Sequence, residues 1–441
     1  MNKRTFLKSA MTIASTAFIS SFGWAVSKNK RLRTAHIGVG GMGAEDLNAF
    51  ASHDSVDVYA LCDVDLNALS KAKANYPAAR TFSDYRILLQ EIGDQIDAVV
   101  VSTPDHTHAP ASIMAMEIGK AVYCQKPLTH HISEARIMSA LANKKKLVTQ
   151  MGIQVHSFYD YKLATLLIQS GIIGKVNCVR AWSPKNWGYD GSFPKSYDTI
   201  PSNLDWNLWL GTAPYHKYKK EMYHPLNWRK LIDFGCGTLG DMGVHIFDTP
   251  YNALSLDVPI TIKNECRLPN GFGFPEKNKV TYIFPPTNFT TEELKWVWYD
   301  GLGAPEKHKD LILPNDEQLH DQGAMFIGEK GKLYLPHFQE LPRLIIDGKY
   351  IEIDTEKFGL GTPIRDYSSE SKKHYHEFVD SCLGNGTCSA PFSYASKLTE
   401  TILLGVIAGR FPGKTLHWDK AKSKFSEEEA NTYIDGVYRD F

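Results

Sequence analysis

From Thr34 to Pro127 the chain alternates short apolar runs of β character with longer helical ones, and this alternation restricts it more than any other feature. The stretches "RTAHIGV", "VDVYALCD", "IDAVVVSTP" and "AVYCQKP" read as strands, while "DYRILLQEIG" and "HAPASIMAMEIG" read as helices. Continuously apolar strands are buried on both faces, and a parallel pair needs a helical crossover between its members. The expected fold class is therefore α/β, with a doubly wound parallel sheet over residues 31–150.

The first strand runs into "GVGGMG", with Gly38, Gly40 and Gly43 at the spacing G-x-G-x-x-G and Gly41 and Met42 inside the same turn. Alone this spacing is weak. Between a strand and a helix it is the context in which a backbone can approach a pyrophosphate lying on a helix N-terminus. The next strand ends in Asp63. A carboxylate there accepts hydrogen bonds from ribose hydroxyls and repels a 2′-phosphate, so NAD is expected rather than NADP. Ligands lie outside the carboxyl ends of such strands. That puts Thr103, Pro104, His106 and His108 of "STPDHTH", with Gln125 and Lys126 of "CQKP", toward the cofactor. The two histidines have caps or surface groups as their other reading.

Within "GDMGVHIFD", Asp241 and His245 stand four apart. On a helix they share a face, presenting an acid beside a titratable base. The alternatives are an Asp that caps the helix and a hydrogen-bonded core histidine. Ahead of this pair, "HPLNWRKLIDFGCGTLGD" supplies Asn227, Trp228 and Arg229 as substrate-contact candidates. Five of the nine tryptophans fall between Arg180 and Arg229, where aromatic faces would suit sugar C–H surfaces. Trp206 and Trp209 are expected in packing instead. Residues 151–441 read as a second, α+β domain with an open, largely antiparallel sheet, including a hairpin turning at Asp347-Gly348.

Charge excludes some partners. Lys plus Arg equals Asp plus Glu at 49 each, leaving no field that would attract nucleic acid or an anionic membrane. Residues 1–27 read as an export signal: a basic start, a short apolar stretch and small residues at Gly23 and Ala25. The opening "KRTFLK" resembles a twin-arginine signal with Lys in place of the first Arg, so a periplasmic or exported protein without stable membrane insertion is expected. The seven scattered cysteines show no zinc spacing, and no structural metal is expected. Only Cys382 and Cys388 stand close enough in sequence to close a small loop.

Taken in order, "GVGGMG", "CDVD", "FSDYRILL", "STPDHTHA", "QKP", "GIIGKV" and the D-x-x-x-H of "GDMGVHIFD" resemble the Gfo/Idh/MocA family of nicotinamide-dependent sugar and cyclitol oxidoreductases. The resemblance implies that Lys126 holds the reacting hydroxyl beside the nicotinamide, that Asp241 orients substrate, and that His245 handles the proton. It also implies a homo-oligomer, dimer or tetramer, formed by pairing of sheets. The family usually has Glu where this chain has Gln125, so Lys126 lacks an adjacent ion partner. The expected activity is NAD-dependent oxidation or reduction of a secondary hydroxyl of a sugar, glycoside or cyclitol, at C3 of a pyranoside. A glycosidase using internal NAD redox and a sugar-binding sensor are the other readings.

Overall fold

The glycine turn shows why the first crossover packs so closely. Strand β1 (Leu32–Ile37) leads through Gly38 to helix α1 (Met42–Ala51). A Cβ on Gly43 would lie 2.1 Å from the Gly38 carbonyl oxygen, so only glycine lets the helix start against the strand end. No side chain caps α1; the N–H groups of Gly43 and Ala44 donate instead to the Gly40 and Gly41 carbonyls of the turn, at 2.9 and 3.1 Å. The structure, a computed structural model, describes residues 31–441 except 302–303, 338–339 and 364–365. The expected export signal lies outside the described residues.

Five more strands complete the first sheet: β2 (Val56–Cys62), β3 (Arg80–Phe82), β4 (Ala98–Val101), β5 (Ala121–Gln125) and β6 (Thr149–Gly152). The order is 3-2-1-4-5-6, every pair parallel. The crossovers carry α2 (Leu66–Asn75), α3 (Tyr85–Ile92), α4 (Asp105–Glu117) and α5 (Ile132–Lys145). Strand β4, "AVVV", is wholly buried, as a central parallel strand must be. Helix α4 starts three residues earlier than its sequence pattern suggests, because Pro110 sits inside it and does not end it.

Beyond α6 (Tyr159–Gln169), β7 (Val176–Ser183), α7 (Trp206–Leu210) and α8 (Val244–Ala253) lies most of the second sheet. Its later strands are β8 (Thr261–Glu265), β9 (Asn278–Phe284), β10 (Thr290–Asp300), β11 (Gly323–Gly328), β12 (Lys332–Pro336), β13 (Arg343–Ile346) and β14 (Lys349–Ile351). With β15 (Thr415–Asp419) and β16 (Lys424–Phe425) they form ten strands in the order 14-13-12-11-7-10-9-8-15-16. Only β7 and β10 run parallel. The β13–β14 hairpin turns at Asp347 and Gly348, both with positive φ, as expected.

The period-two pattern of β10 gives this sheet two apolar faces. Trp296 and Trp298 join the main core, where Phe247 of α8 stacks on Trp296. Val297 and Tyr299 point the other way, onto Trp182, Met325 and Tyr334. That outer face is clad by the chain itself, through Leu311 and Leu313. Arg180 fixes the cladding by an ion pair with Asp310 at 2.9 Å.

The last helices return to the first sheet. In α9 (Tyr367–Cys382), Tyr375 and Phe378 pack edge-on against Phe50 of α1, while α10 (Phe392–Ala408) lies along α5. Residue 150 lies within β6, the last strand of the first sheet, so the change of sheet comes between Gly152 and Val176, and the core is continuous across it. Cys382 and Cys388 are free thiols.

Gly43→Ala is expected to destabilise the protein by about 1–3 kcal/mol through overpacking and to abolish dinucleotide binding. Thermal melts with and without NAD check this. An unchanged melting temperature that still rises with NAD would contradict the packing role of Gly43.

Candidate functional site

A cleft of about 540 Å³ runs along the carboxyl ends of the parallel strands and is closed from above by residues of the second domain. Gly38, Gly40, Gly41 and Met42 line one stretch, Asp63 and Asp65 another, and Thr103, Pro104, Gln125 and Lys126 a third. Opposite them stand Trp228, Arg229, Asp241 and His245. The sequence-derived acid, base and lysine therefore meet across the domain junction, at the far end of the cleft from Asp63.

Lys126 follows β5. Its Nζ donates to Asp241 Oδ1 at 2.9 Å and to the Asp241 main-chain oxygen at 3.0 Å. Asp241 sits in a π turn, Leu239–Gly243, that runs directly into α8. Such turns are rare and concentrate at functional positions. Asp241 is no helix cap. Its other oxygen accepts the Trp187 indole N–H at 2.5 Å, and the Arg229 guanidinium stands 3.4 Å from Oδ1. Burial would raise this carboxyl, but the Lys126 and Arg229 charges outweigh it and hold the group well below the ordinary carboxylate range. Removing either partner of such a buried pair costs about 3–5 kcal/mol, because the other charge is left uncompensated.

His245 lies one turn on. Burial, then the Lys126 ammonium and His337, hold its imidazole well below the ordinary histidine value. The ring is neutral near pH 7 and its Nδ1 is buried without a hydrogen-bond partner. His337 stands 6.3 Å away, centroid to centroid.

The cleft fits a dinucleotide. A Cβ on Gly40 would press on Ala68 at 3.1 Å and so fill the cradle above the α1 N-terminus. Asp63 is fixed by accepting the N–H groups of Val39 at 2.8 Å and Asp65 at 2.9 Å, which leaves its remaining lone pairs for ribose hydroxyls. Arg86, next in sequence to the cleft residues Asp84 and Tyr85, is held by both oxygens of Asp84 and is not free to take a 2′-phosphate. The buried Thr103 hydroxyl has no protein partner and lines the same cleft.

Three expected contacts, His106, Gly43 and Asn227, fall outside the cleft lining, and a fourth, His108, lines it with both ring nitrogens already engaged. His106 does not line the cleft: its ring nitrogens lie 3.3 and 3.1 Å from the carbonyls of Phe234 and Trp209, so it ties α4 to the aromatic subdomain. His108 borders the cleft, yet its nitrogens meet the carbonyls of Pro127 and Thr103 at 2.8 Å each and brace the Lys126 turn. Gly43 serves helix packing, as above. Asn227 is half-buried outside the cleft and donates to the Glu221 carbonyl at 2.6 Å. The missing family glutamate also has an explanation. Gln125 donates to both oxygens of Asp46 at 2.9 and 3.0 Å, where a glutamate would face a carboxylate, and the ion partner of Lys126 is Asp241. Trp206 and Trp209 are core residues, stacked at 4.7 Å, as expected.

Two groups were not foreseen. Trp187 anchors Asp241 from 54 residues away, with no local signal beyond its place in an aromatic-rich stretch. Asp105, the first residue of α4, is buried in the cleft, and its proximity to "STP" was the one available hint. Burial pushes its carboxyl up to about 7, against the pull of Arg229 and Lys126.

Two models of one family match this chain: the oxidoreductase family NAD-binding Rossmann fold over residues 32–153, and its C-terminal alpha/beta domain over 162–272. Together they cover over half of it. The chain belongs to the Gfo/Idh/MocA oxidoreductase family. Among curated relatives, a "Glycosyl hydrolase family 109 protein" of Stenotrophomonas maltophilia is 33% identical over 137 residues, 28% of this chain and 29% of that protein. An "Inositol 2-dehydrogenase" of Corynebacterium glutamicum is 29% identical over 34% of this chain and 45% of that protein. The chain thus spans less than half the length of either relative. An inositol dehydrogenase homolog of Azotobacter vinelandii, solved with NADH and myo-inositol, shares the fold with TM-score 0.63 at 16% identity, over 88% of this chain and 98% of that one.

An acid whose pKa is raised on folding binds more protons folded than unfolded, so stability falls as pH rises between the two values. For Asp105 that interval runs from the ordinary carboxylate range up to about 7. Thermal melts from pH 5 to 8 are expected to show the parent losing stability relative to Asp105→Asn as pH rises. Parallel curves would contradict the assigned shift.

Proposed function

We propose that this protein is an NAD-dependent oxidoreductase acting on a secondary hydroxyl of a sugar, glycoside or cyclitol, at C3 of a pyranoside. The observation that carries the reading is the convergence of Lys126, Asp241 and His245 at one end of a dinucleotide cleft, with Lys126 2.9 Å from Asp241. Bound NAD would supply the hydride acceptor. The chain's own groups manage the hydroxyl. Lys126, held in place by Asp241, donates a hydrogen bond to the alcohol oxygen and stabilises negative charge there as the proton leaves. His245, neutral because it is buried beside the Lys126 ammonium, accepts that proton. In the reverse direction the imidazolium returns it. Arg229, whose guanidinium lies 4.2 Å over the Trp228 ring, offers its outer N–H groups to neighbouring hydroxyls, and Trp228 offers an apolar edge.

The cofactor is retained and recycled in place, because the export segment of residues 1–27 directs the protein to the periplasm, which lacks an obvious NAD pool. We also propose a homo-oligomer, dimer or tetramer.

The similarity to the Stenotrophomonas glycosyl hydrolase family 109 protein favours a second reading, a glycosidase that oxidises, eliminates and re-reduces on one NAD. Absorbance and fluorescence in the NADH band, followed as glycosides and their 3-keto forms are added, separate the two. Lasting reduction by a glycoside, reversed by the ketone, is expected. Free sugar released with only a transient NADH signal would establish the glycosidase instead. His245→Ala is expected to lose about 100-fold or more in turnover while still binding NAD. Unchanged turnover would refute its role.

A further inference from the structure

The adenosine end of the cleft is bounded by residues that no dinucleotide motif contains. Past Asp63 the lining continues through Asp65, Ser83, Asp84 and Tyr85 on the sheet side. Across from them stand His224, Pro225 and Leu226, and finally Phe441. All four belong to the second half of the chain.

This outer wall is fastened at two places. At the first, Asp65 receives the Asn203 amide at 2.7 Å on Oδ1 and meets the His224 imidazole at 3.0 Å on Oδ2. The backbone reinforces the contact: Leu66 N–H donates to Asn203 O at 2.8 Å, and Asp205 N–H donates to Val64 O at 3.0 Å. At the second, Arg86 is gripped by Asp84 and donates to the Phe441 main-chain oxygen, with its guanidinium 4.0 Å over the Phe441 ring. Arg439 holds the same segment to the α7 turn through the oxygens of Asn207 at 2.7 and 3.0 Å and of Gly211 at 2.8 Å. Behind both points lies the aromatic cluster of Trp206, Trp209, Tyr218, Tyr223, Trp228 and Phe234, which makes the wall stiff.

We propose that segments 203–226 and 437–441 form a clasp over the adenosine, locked on Asp65 and Arg86, and that this clasp sets the rate at which the dinucleotide leaves. The glycine turn binds the pyrophosphate and the lysine end receives the nicotinamide, so both ends of the cofactor are covered by the second domain. Asn203, His224, Arg86 and Phe441 are positioning residues for the adenosine half. The inference is independent of the substrate and of the reaction.

Stopped-flow displacement of NADH by excess NAD⁺, on the full-length protein, tests it. The His224→Ala/Asn203→Ala double variant and Phe441→Ala are each expected to raise the NADH dissociation rate by about tenfold, since loss of fastening contacts acts chiefly on the off-rate. Affinity for reduced nicotinamide mononucleotide, which lacks the adenosine, should stay within about twofold, because that half of the cleft is untouched. An NADH off-rate unchanged in both variants would overturn the proposal. So would equal weakening of NADH and the mononucleotide, which would mean a general loosening of the fold.

Discussion

The ion pair between Lys126 and Asp241 is the constraint on which the rest of the site depends. It joins the end of β5 in the parallel sheet to a π turn at the start of α8 in the second domain, with both side chains largely removed from water. A buried pair of this kind is tolerated only where geometry is good and the remaining polar atoms are met. Here Trp187 and Arg229 complete the carboxylate and the Asp241 carbonyl meets the ammonium a second time. Burial, reinforced by the same ammonium, keeps His245 neutral. One charge thus orients the acid, helps to keep the base neutral, and joins the two domains across the cleft.

The second domain does more than add a wall for substrate. Its aromatic subdomain reaches back to His106 of α4 and to Asp65 beyond β2, and its last helices cover one face of the parallel sheet. The cofactor cleft is consequently a joint between domains, a common place for ligand sites. Family membership, shown by both domain models, accords with this two-sheet architecture.

Much of this was legible in the sequence because it is local. Alternating apolar runs specify the parallel sheet, the G-x-G-x-x-G turn marks the first crossover, and an aspartate four residues before a histidine brings both to one side of a helical segment. The misread residues depend on partners far along the chain. His106 was placed correctly at a strand end, but its ring turns to the carbonyls of Phe234 and Trp209, which no local pattern reveals. Gln125 looked like a loss for Lys126 until Asp46 appeared as its partner, 79 residues earlier. The Trp187 bond to Asp241 is illegible for the same reason. Asn227 was misplaced because the short helical turn Asn227–Lys230 directs Trp228 and Arg229 into the cleft, while the half-buried Asn227 lies outside it and is taken up by the Glu221 carbonyl.

On the proposed function, the Lys126 end of the cleft is where a carbon-bound hydrogen leaves a secondary alcohol as hydride. The most direct measurement uses a glycoside deuterated at the reacting carbon, incubated with the holoenzyme, followed by mass analysis of the reduced cofactor. Deuterium is expected in the nicotinamide ring of the parent enzyme and none above background in the Lys126→Ala variant. Reduced cofactor free of deuterium, with the label lost to solvent, would contradict it.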